Sequence, residues 1–147
     1  HHRRIYCLAL RLVAGDEVAA GEITQEVFVR AWCGLHGFRG NAQLSTWLHK
    51  IAVRVAHTYW RGEQRRRARM ELHVSNLAAP RLPDSDDDLE RAIAMLSPRE
   101  RAAVVLHYIE GYTQAETGTL MDIAEGTVKS LVHRARARLR KQLEEWS

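Results

Sequence analysis

Hydrophobic positions in this chain recur at helical spacing, and nowhere do β-branched residues alternate between turns in the way a strand requires. Tyr6 to Val13 and Asp16 to Leu35 are predicted helices, the second carrying Ile23, Val27 and Ala31 on one side. A loop with Gly37, Gly40 and Asn41 follows. Ser45 is expected to cap the next helix, on which Leu48, Ile51, Ala52, Val55 and Tyr59 form an apolar stripe. Trp47, Lys50, Arg54, His57 and Arg61 form a second stripe, aromatic and basic, along an exposed side.

Residues 71–88 contain Pro80 and Pro83 and no sustained helical period, so they read as a flexible linker between helical units at 1–70 and 89–147. The predicted fold class is all-α, two small helical domains. In the second unit Ser97, Pro98 and Glu100 make a capping box, and the helix they start runs through Leu106 and Ile109 to Gly111. Thr113 and Glu116 make another box, opening a short helix from Gln114 to Leu120. A turn from Met121 to Ala124 leads into a long basic helix with Val128, Leu131, Ala135 and Leu139 inward. This is a helix-turn-helix: Gly118 permits close approach, Asp122 tolerates the left-handed turn, and Met121, Ile123, Val128 and Leu131 plug the core. Lys129, Ser130, His133 and Arg134 lie off the apolar stripe near the start of the last helix, where a recognition helix meets base edges. Arg136, Arg140 and Lys141 lie further along, placed for phosphates.

Composition narrows the function. At 147 residues, with 46% hydrophobic and 27% charged residues, the chain suits one ordinary domain or two very small ones, and not wholesale disorder. Apolar stretches such as Ala102 to Leu106 fall far below the roughly 20 residues of a membrane span. The basic start leads into a segment broken by Arg11, Asp16 and Glu17, so no signal peptide is expected. The expected location is cytoplasmic, without membrane insertion. Cys7 and Cys33 form no CxxC pair and are expected to be buried small hydrophobes. The eight histidines form no HxxxH pair, and no metal or other cofactor is expected. The net charge of +4 is unevenly spread. Arg61 to Arg69 holds five arginines against Glu63, Lys129 to Lys141 holds six Lys/Arg and no acid, and Asp84 to Glu90 holds five acids. Two basic blocks flanking an acidic one favour a polyanion contacted at two places. No phosphate-binding Gly-rich loop or nucleophile elbow occurs. Glu22 and Glu26 share a helix face, for which a solvated surface is the preferred reading over a catalytic pair. No catalytic residue is therefore expected.

The segments ITQEVFVRAW (23–32), FRGNAQLSTWLHKIAVRVAHTYWR (38–61), LSPRERAAVVLHYIEGYTQAE (96–116) and AEGTVKS (124–130) resemble, in order and spacing, the two regions of extracytoplasmic-function sigma factors of the sigma-70 family. The resemblance implies a first domain for RNA polymerase and the promoter minus-ten element, and a second for the minus-thirty-five element. It implies that Thr24, Gln25, Glu26, Val27, Phe28 and Arg30 lie on the helix that grips a coiled coil of the polymerase largest subunit. For Val27 and Phe28, core packing is an equal reading. The loop from Phe38 to Thr46, with Phe38, Arg39, Asn41, Gln43 and Thr46, matches the family loop that captures a flipped base, and Trp47, Lys50, Arg54, His57 and Arg61 continue that surface. Base extrusion costs a few kcal/mol, which stacking and edge donors must offset. The minus-thirty-five contacts implied are Thr127, Lys129, Ser130, His133, Arg134 and Arg136. Implied partners are core RNA polymerase, promoter DNA and an anti-sigma factor.

Some positions depart from the family pattern. Arg54 stands where asparagine is usual and Leu131 where arginine is usual. Thr117 and Asp122 replace an apolar residue and a glycine, and Ala20, Gly21 and Glu22 replace the usual AED. The rival reading is a helix-turn-helix regulator with an N-terminal sensing or dimerisation domain. That reading explains the second unit, but it gives no reason for the Trp47 to Arg61 stripe.

Overall fold

The computed structural model describes residues 1–40, 43–69 and 88–146. Seven α-helices and no strand occur among the described residues: α1 His2–Leu12, α2 Glu17–Gly34, α3 Leu44–Arg69, α4 Asp88–Ala94, α5 Pro98–Val104, α6 Gln114–Met121 and α7 Glu125–Trp146. None is long and apolar enough to cross a membrane.

Helices α1, α2 and α3 pack on one another as the first unit. Ile5, Leu8, Ala9 and Leu12 give α1 a single buried face. Ala14 and Gly15, both at positive φ, then reverse the chain, and the Asp16 side chain caps α2 by accepting from the Ala19 N–H at 3.1 Å. Helix α3 begins at Leu44, so Ser45 lies inside its first turn, and the Trp47 N–H donates to the Gln43 carbonyl. The predicted stripe faces inward: Leu48, Ala52 and Val55 are buried, Ile51 and Tyr59 half-buried. His49, Val53 and Ala56 are buried as well, because the second unit covers another side of this helix.

All but the last residue of the expected linker lies outside the described residues. Asp88 instead opens α4, a helix the sequence did not predict, with Asp88 and Glu90 in its first turn and Ala92 and Ile93 buried. Ser97 caps α5 by accepting from the Glu100 N–H at 3.4 Å. The expected return bond is replaced: the buried Glu100 carboxylate lies 3.5 Å from the Arg138 guanidinium on α7. Helix α5 widens into a π-turn over Val105–Ile109, which ends ahead of Gly111 at φ 83°. Asp122 adopts the left-handed conformation at φ 57°, ψ 41° between α6 and α7. A Cβ on Gly118 would lie 2.7 Å from the Ile123 carbonyl oxygen, so this turn closes only on glycine.

Contrary to expectation, Cys7 and Cys33 are both exposed. The buried set 5, 8, 9 and 12 leaves position 7 on the outer side of α1, and Cys33 lies off the side of α2 that buries Val27 and Ala31.

The two units share one continuous apolar core, running from Ile5, Leu8 and Val53 to Leu96, Val104 and Leu120. Polar ties cross the same boundary. The buried Arg101 guanidinium donates to the Leu12 carbonyl at 2.8 Å, Arg11 pairs with Glu90 at 3.4 Å, and His49 Nδ1 shares a 2.7 Å hydrogen bond with the Tyr112 hydroxyl.

Candidate nucleic-acid interface

Helix α7 presents an exposed basic surface. Its start is fixed by α6, whose capping box is complete: the Thr113 hydroxyl accepts from the Glu116 N–H and the Glu116 carboxylate from the Thr113 N–H, both at 3.0 Å. These bonds hold the Glu116 carboxyl below its ordinary pKa. Burial of Val128, Leu131, Val132 and Ala135 turns Lys129, Ser130, His133, Arg134 and Arg136 to solvent, with Thr127 half-buried. The Ser130 hydroxyl donates to the Gly126 carbonyl at 3.1 Å, leaving its lone pairs free to accept. Leu131 belongs to the core. A shallow groove of about 650 Å³ runs beside this face, and Tyr108 and Gln114 line it with Lys129, His133 and Arg134. The sequence reading missed both. Gln114 was signalled by its place just after the Thr113 cap, whereas Tyr108 lies exposed within the π-turn, which helical spacing does not announce.

The α3 surface is aromatic at one end and basic along its length. Phe38 and Trp47 meet with ring centroids 5.0 Å apart, and Trp47 leans on the side-chain-free face of Gly34. Arg39, Gln43, Arg54, His57 and Arg61 are exposed, whereas Thr46, Trp47 and Lys50 are half-buried. Asn41 lies outside the described residues. Part of this surface is occupied by the second unit. The Tyr112 hydroxyl reaches Thr46 at 3.5 Å, and Arg54 Nε pairs with Asp122 Oδ2 at 3.2 Å. Arg54 and Asp122, two departures from the family pattern, thus meet each other. The Arg54 hydrogen bond holds the Asp122 carboxyl below its ordinary pKa. Beside them, burial pushes the His49 imidazole down.

On α2 the predicted polymerase-facing set divides. Thr24 and Val27 are corrected to core residues: Val27 is fully enclosed, and the Thr24 hydroxyl is spent on the Ala20 carbonyl at 2.7 Å. Gln25, Glu26 and Arg30 are exposed, Glu26 pairing with Arg30 at 2.9 Å, and Phe28 is half-buried, stacked on His2. Val29 and Trp32, 52% and 79% exposed, complete an apolar patch that the sequence reading did not single out.

Comparison with known proteins places these surfaces in a family. The sigma-70 region 2 model matches residues 1–66 and the sigma-70 region 4 model residues 86–139. SigM of Mycobacterium tuberculosis, an ECF RNA polymerase sigma factor, is 35% identical over 97% of this chain and 73% of its own length. SigW of Bacillus subtilis is 30% identical, over 97% of this chain and 84% of its own length. SigE of Mycolicibacterium smegmatis is 32% identical along all of this chain, which spans only 60% of that relative. The solved structure of the sigma factor RpoE of Bartonella quintana, crystallised with the anti-sigma factor NepR, superposes with a TM-score of 0.78 at 26% identity, covering 97% of this chain and 91% of that one. With both regions matched in order and relatives of this similarity along nearly its full length, the chain belongs to the ECF group of the sigma-70 family.

Proposed function

We propose that this chain binds core RNA polymerase and directs it to promoters, reading duplex DNA with α7 and holding the melted strand with α3. The observation that carries this reading is the pairing of two differently equipped surfaces on one chain. Helix α7 offers exposed Lys129, Ser130, His133 and Arg134 straight after a helix-turn-helix turn, suited to a major groove. The α3 surface offers the Phe38–Trp47 aromatic pair followed by Lys50, Arg54, His57 and Arg61, suited to unstacked bases on a charged track. In this reading residues 1–70 serve the minus-ten element and polymerase, residues 89–147 serve the minus-thirty-five element, and 71–88 tether them.

Exposed Gln25, Glu26 and Arg30, flanked by Val29 and Trp32, form the polymerase-docking surface. The protein acts in the cytoplasm, with an anti-sigma factor as its restraining partner, as in the RpoE complex. It is not an enzyme and needs no cofactor. Of the one carboxylate pair considered for catalysis, Glu26 is committed to Arg30.

Reconstitution with core polymerase tests the proposal. Promoter-specific transcripts are expected only with both components present, and Trp47→Ala should reduce permanganate reactivity of minus-ten thymines while core binding persists. Tight, specific duplex binding by the chain alone, with no effect on polymerase, would support a helix-turn-helix regulator instead.

A further inference from the structure

The groove beside α7 is built by residues of different origin. Lys129, Val132, His133 and Arg136 line it from α7, and at i, i+3, i+4 and i+7 they share one flank of that helix. Ser130 and Arg134, on the next stripe round the helix, line it too. Tyr108 comes from ahead of the helix-turn-helix, in the π-turn that follows α5. No carboxylate among the described residues lines this groove of about 650 Å³, whereas Lys129, Arg134 and Arg136 all do. Its chemistry therefore suits an anion.

Tyr108 is braced by its neighbour. The His107 Nδ1–H donates to the Tyr112 carbonyl at 2.7 Å, and because a carbonyl only accepts, the proton sits on Nδ1. The imidazole so fixed meets the Tyr108 ring edge to face, with centroids 4.7 Å apart and planes at 64°. The Tyr108 side chain is nonetheless 52% exposed, presented to the groove with its ring orientation supported from one side.

The dimensions of DNA say what would fill that space. A major groove about 12 Å wide admits one helix of about 10–12 Å diameter, so the leading line of a docked helix meets base edges and its flanks meet the sugar-phosphate backbones. With Ser130 and Arg134 toward the bases, the flank of Lys129, His133 and Arg136 faces one backbone, and Tyr108 borders the same space. We propose that Tyr108 is a duplex contact from outside the helix-turn-helix, its hydroxyl donating to a backbone phosphate that lies in this groove beside the bases read by α7. This rests on the reading of α7 as the duplex-reading helix. A neutral donor at this place adds affinity without base preference, and it releases no counterion because it carries no charge.

The test uses Tyr108→Phe, which keeps the ring against His107 and removes only the hydroxyl, so the variant should melt with the parent. The full chain is assembled with core polymerase and bound to a labelled promoter duplex taken from the transcripts of the reconstituted enzyme, at low temperature so that the strands stay paired. Tyr108→Phe should weaken binding about tenfold, the worth of a hydrogen bond to a charged acceptor. The loss should be equal for all single-base variants of the minus-thirty-five element, and the salt dependence should keep its slope. Methylphosphonates placed one at a time around that element locate the contact. At one phosphate the parent should lose about tenfold more affinity than Tyr108→Phe does, because the variant has no hydroxyl left to lose there. A Tyr108→Phe loss confined to one base pair, or methylphosphonate profiles that coincide for parent and variant, would overturn the phosphate contact. If Tyr108→Phe binds like the parent while Arg134→Ala still relaxes base preference, the Tyr108 contact is wrong and the reading of α7 stands. If Arg134→Ala changes neither affinity nor preference, the reading of α7 fails and the Tyr108 contact falls with it.

Discussion

Replacing Arg101 with methionine keeps the stem of the side chain and removes a buried cation that joins the two units. The guanidinium donates at 2.8 Å to the Leu12 carbonyl of the first unit and at 2.8 Å to the Leu96 carbonyl of the second, with a longer 3.4 Å contact to Ala94. Its Nε–H is buried without a partner. Burial pushes its pKa down to about 10, so it remains a cation at neutral pH, at a desolvation cost of roughly 3 kcal/mol. Two short bonds from a charged donor contribute together about 3–6 kcal/mol. The variant recovers the desolvation cost while losing both bonds, so the expected net loss is about 1.5 kcal/mol at the middle of that range. Because one acceptor lies in each unit, part of that loss falls on the coupling between them.

Urea unfolding followed by tryptophan fluorescence, in versions retaining only Trp60 or only Trp146, separates these effects. The parent chain should unfold in one transition seen alike by both tryptophans, as its continuous core implies. Arg101→Met should lower the midpoint and split the two reporters. An unchanged midpoint with coincident reporters would refute the role of the guanidinium as the inter-unit staple.

Other predictions follow from exposure and charge. Arg30→Glu should weaken core-polymerase binding while leaving the melting temperature nearly unchanged, because the Glu26–Arg30 pair it disrupts is exposed and worth only about 0.3–0.5 kcal/mol. Arg134→Ala should cost about 1–3 kcal/mol and relax preference at one base position, whereas Arg140→Ala should weaken all sequences alike and flatten the salt dependence by about one. Affinities of single-base minus-thirty-five variants at several salt concentrations distinguish the two. His49 has its folded pKa pushed below the ordinary 6.5, so the unfolded chain takes up a proton that the folded chain excludes. Stability should therefore fall as pH drops below about 6.5, and His49→Gln should flatten that slope in melts at pH steps across this window.

What the sequence disclosed was local. Ser97 and Thr113 each announced a helix start through short-range side-chain bonds, and Asp122 announced a left-handed turn by its residue type. The outward face of α7 followed from helical spacing alone. Helix α4 escaped because seven residues are too few to display a period. Burial of His49, Val53 and Ala56 depends on a neighbour far along the chain, which spacing cannot reveal. The same holds for Arg54 and Asp122: each was legible as an unusual residue, but their pairing spans 68 positions. Cys7 and Cys33 run against the average behaviour of cysteine because each lies off the buried side of its helix. Glu100 was assigned to its own capping box, yet it faces Arg138 across the unit.

The tight closure at Gly118 has a mechanical consequence for base reading. Its Cα approaches the Ile123 carbonyl so closely that a single added methyl at 2.7 Å would force the α6–α7 turn open. Helix α7 pivots from that turn, and Arg134 lies nine residues beyond Glu125, a lever arm of about 14 Å at 1.5 Å per residue. A tilt of about 10° at the pivot would sweep Arg134 sideways by roughly 2 Å, enough to lose a bidentate bond to a base edge while leaving looser phosphate contacts in place. If α7 reads base edges as proposed, position 118 sets its aim from outside the contact surface, and a substitution there is expected to blur promoter choice before it abolishes binding.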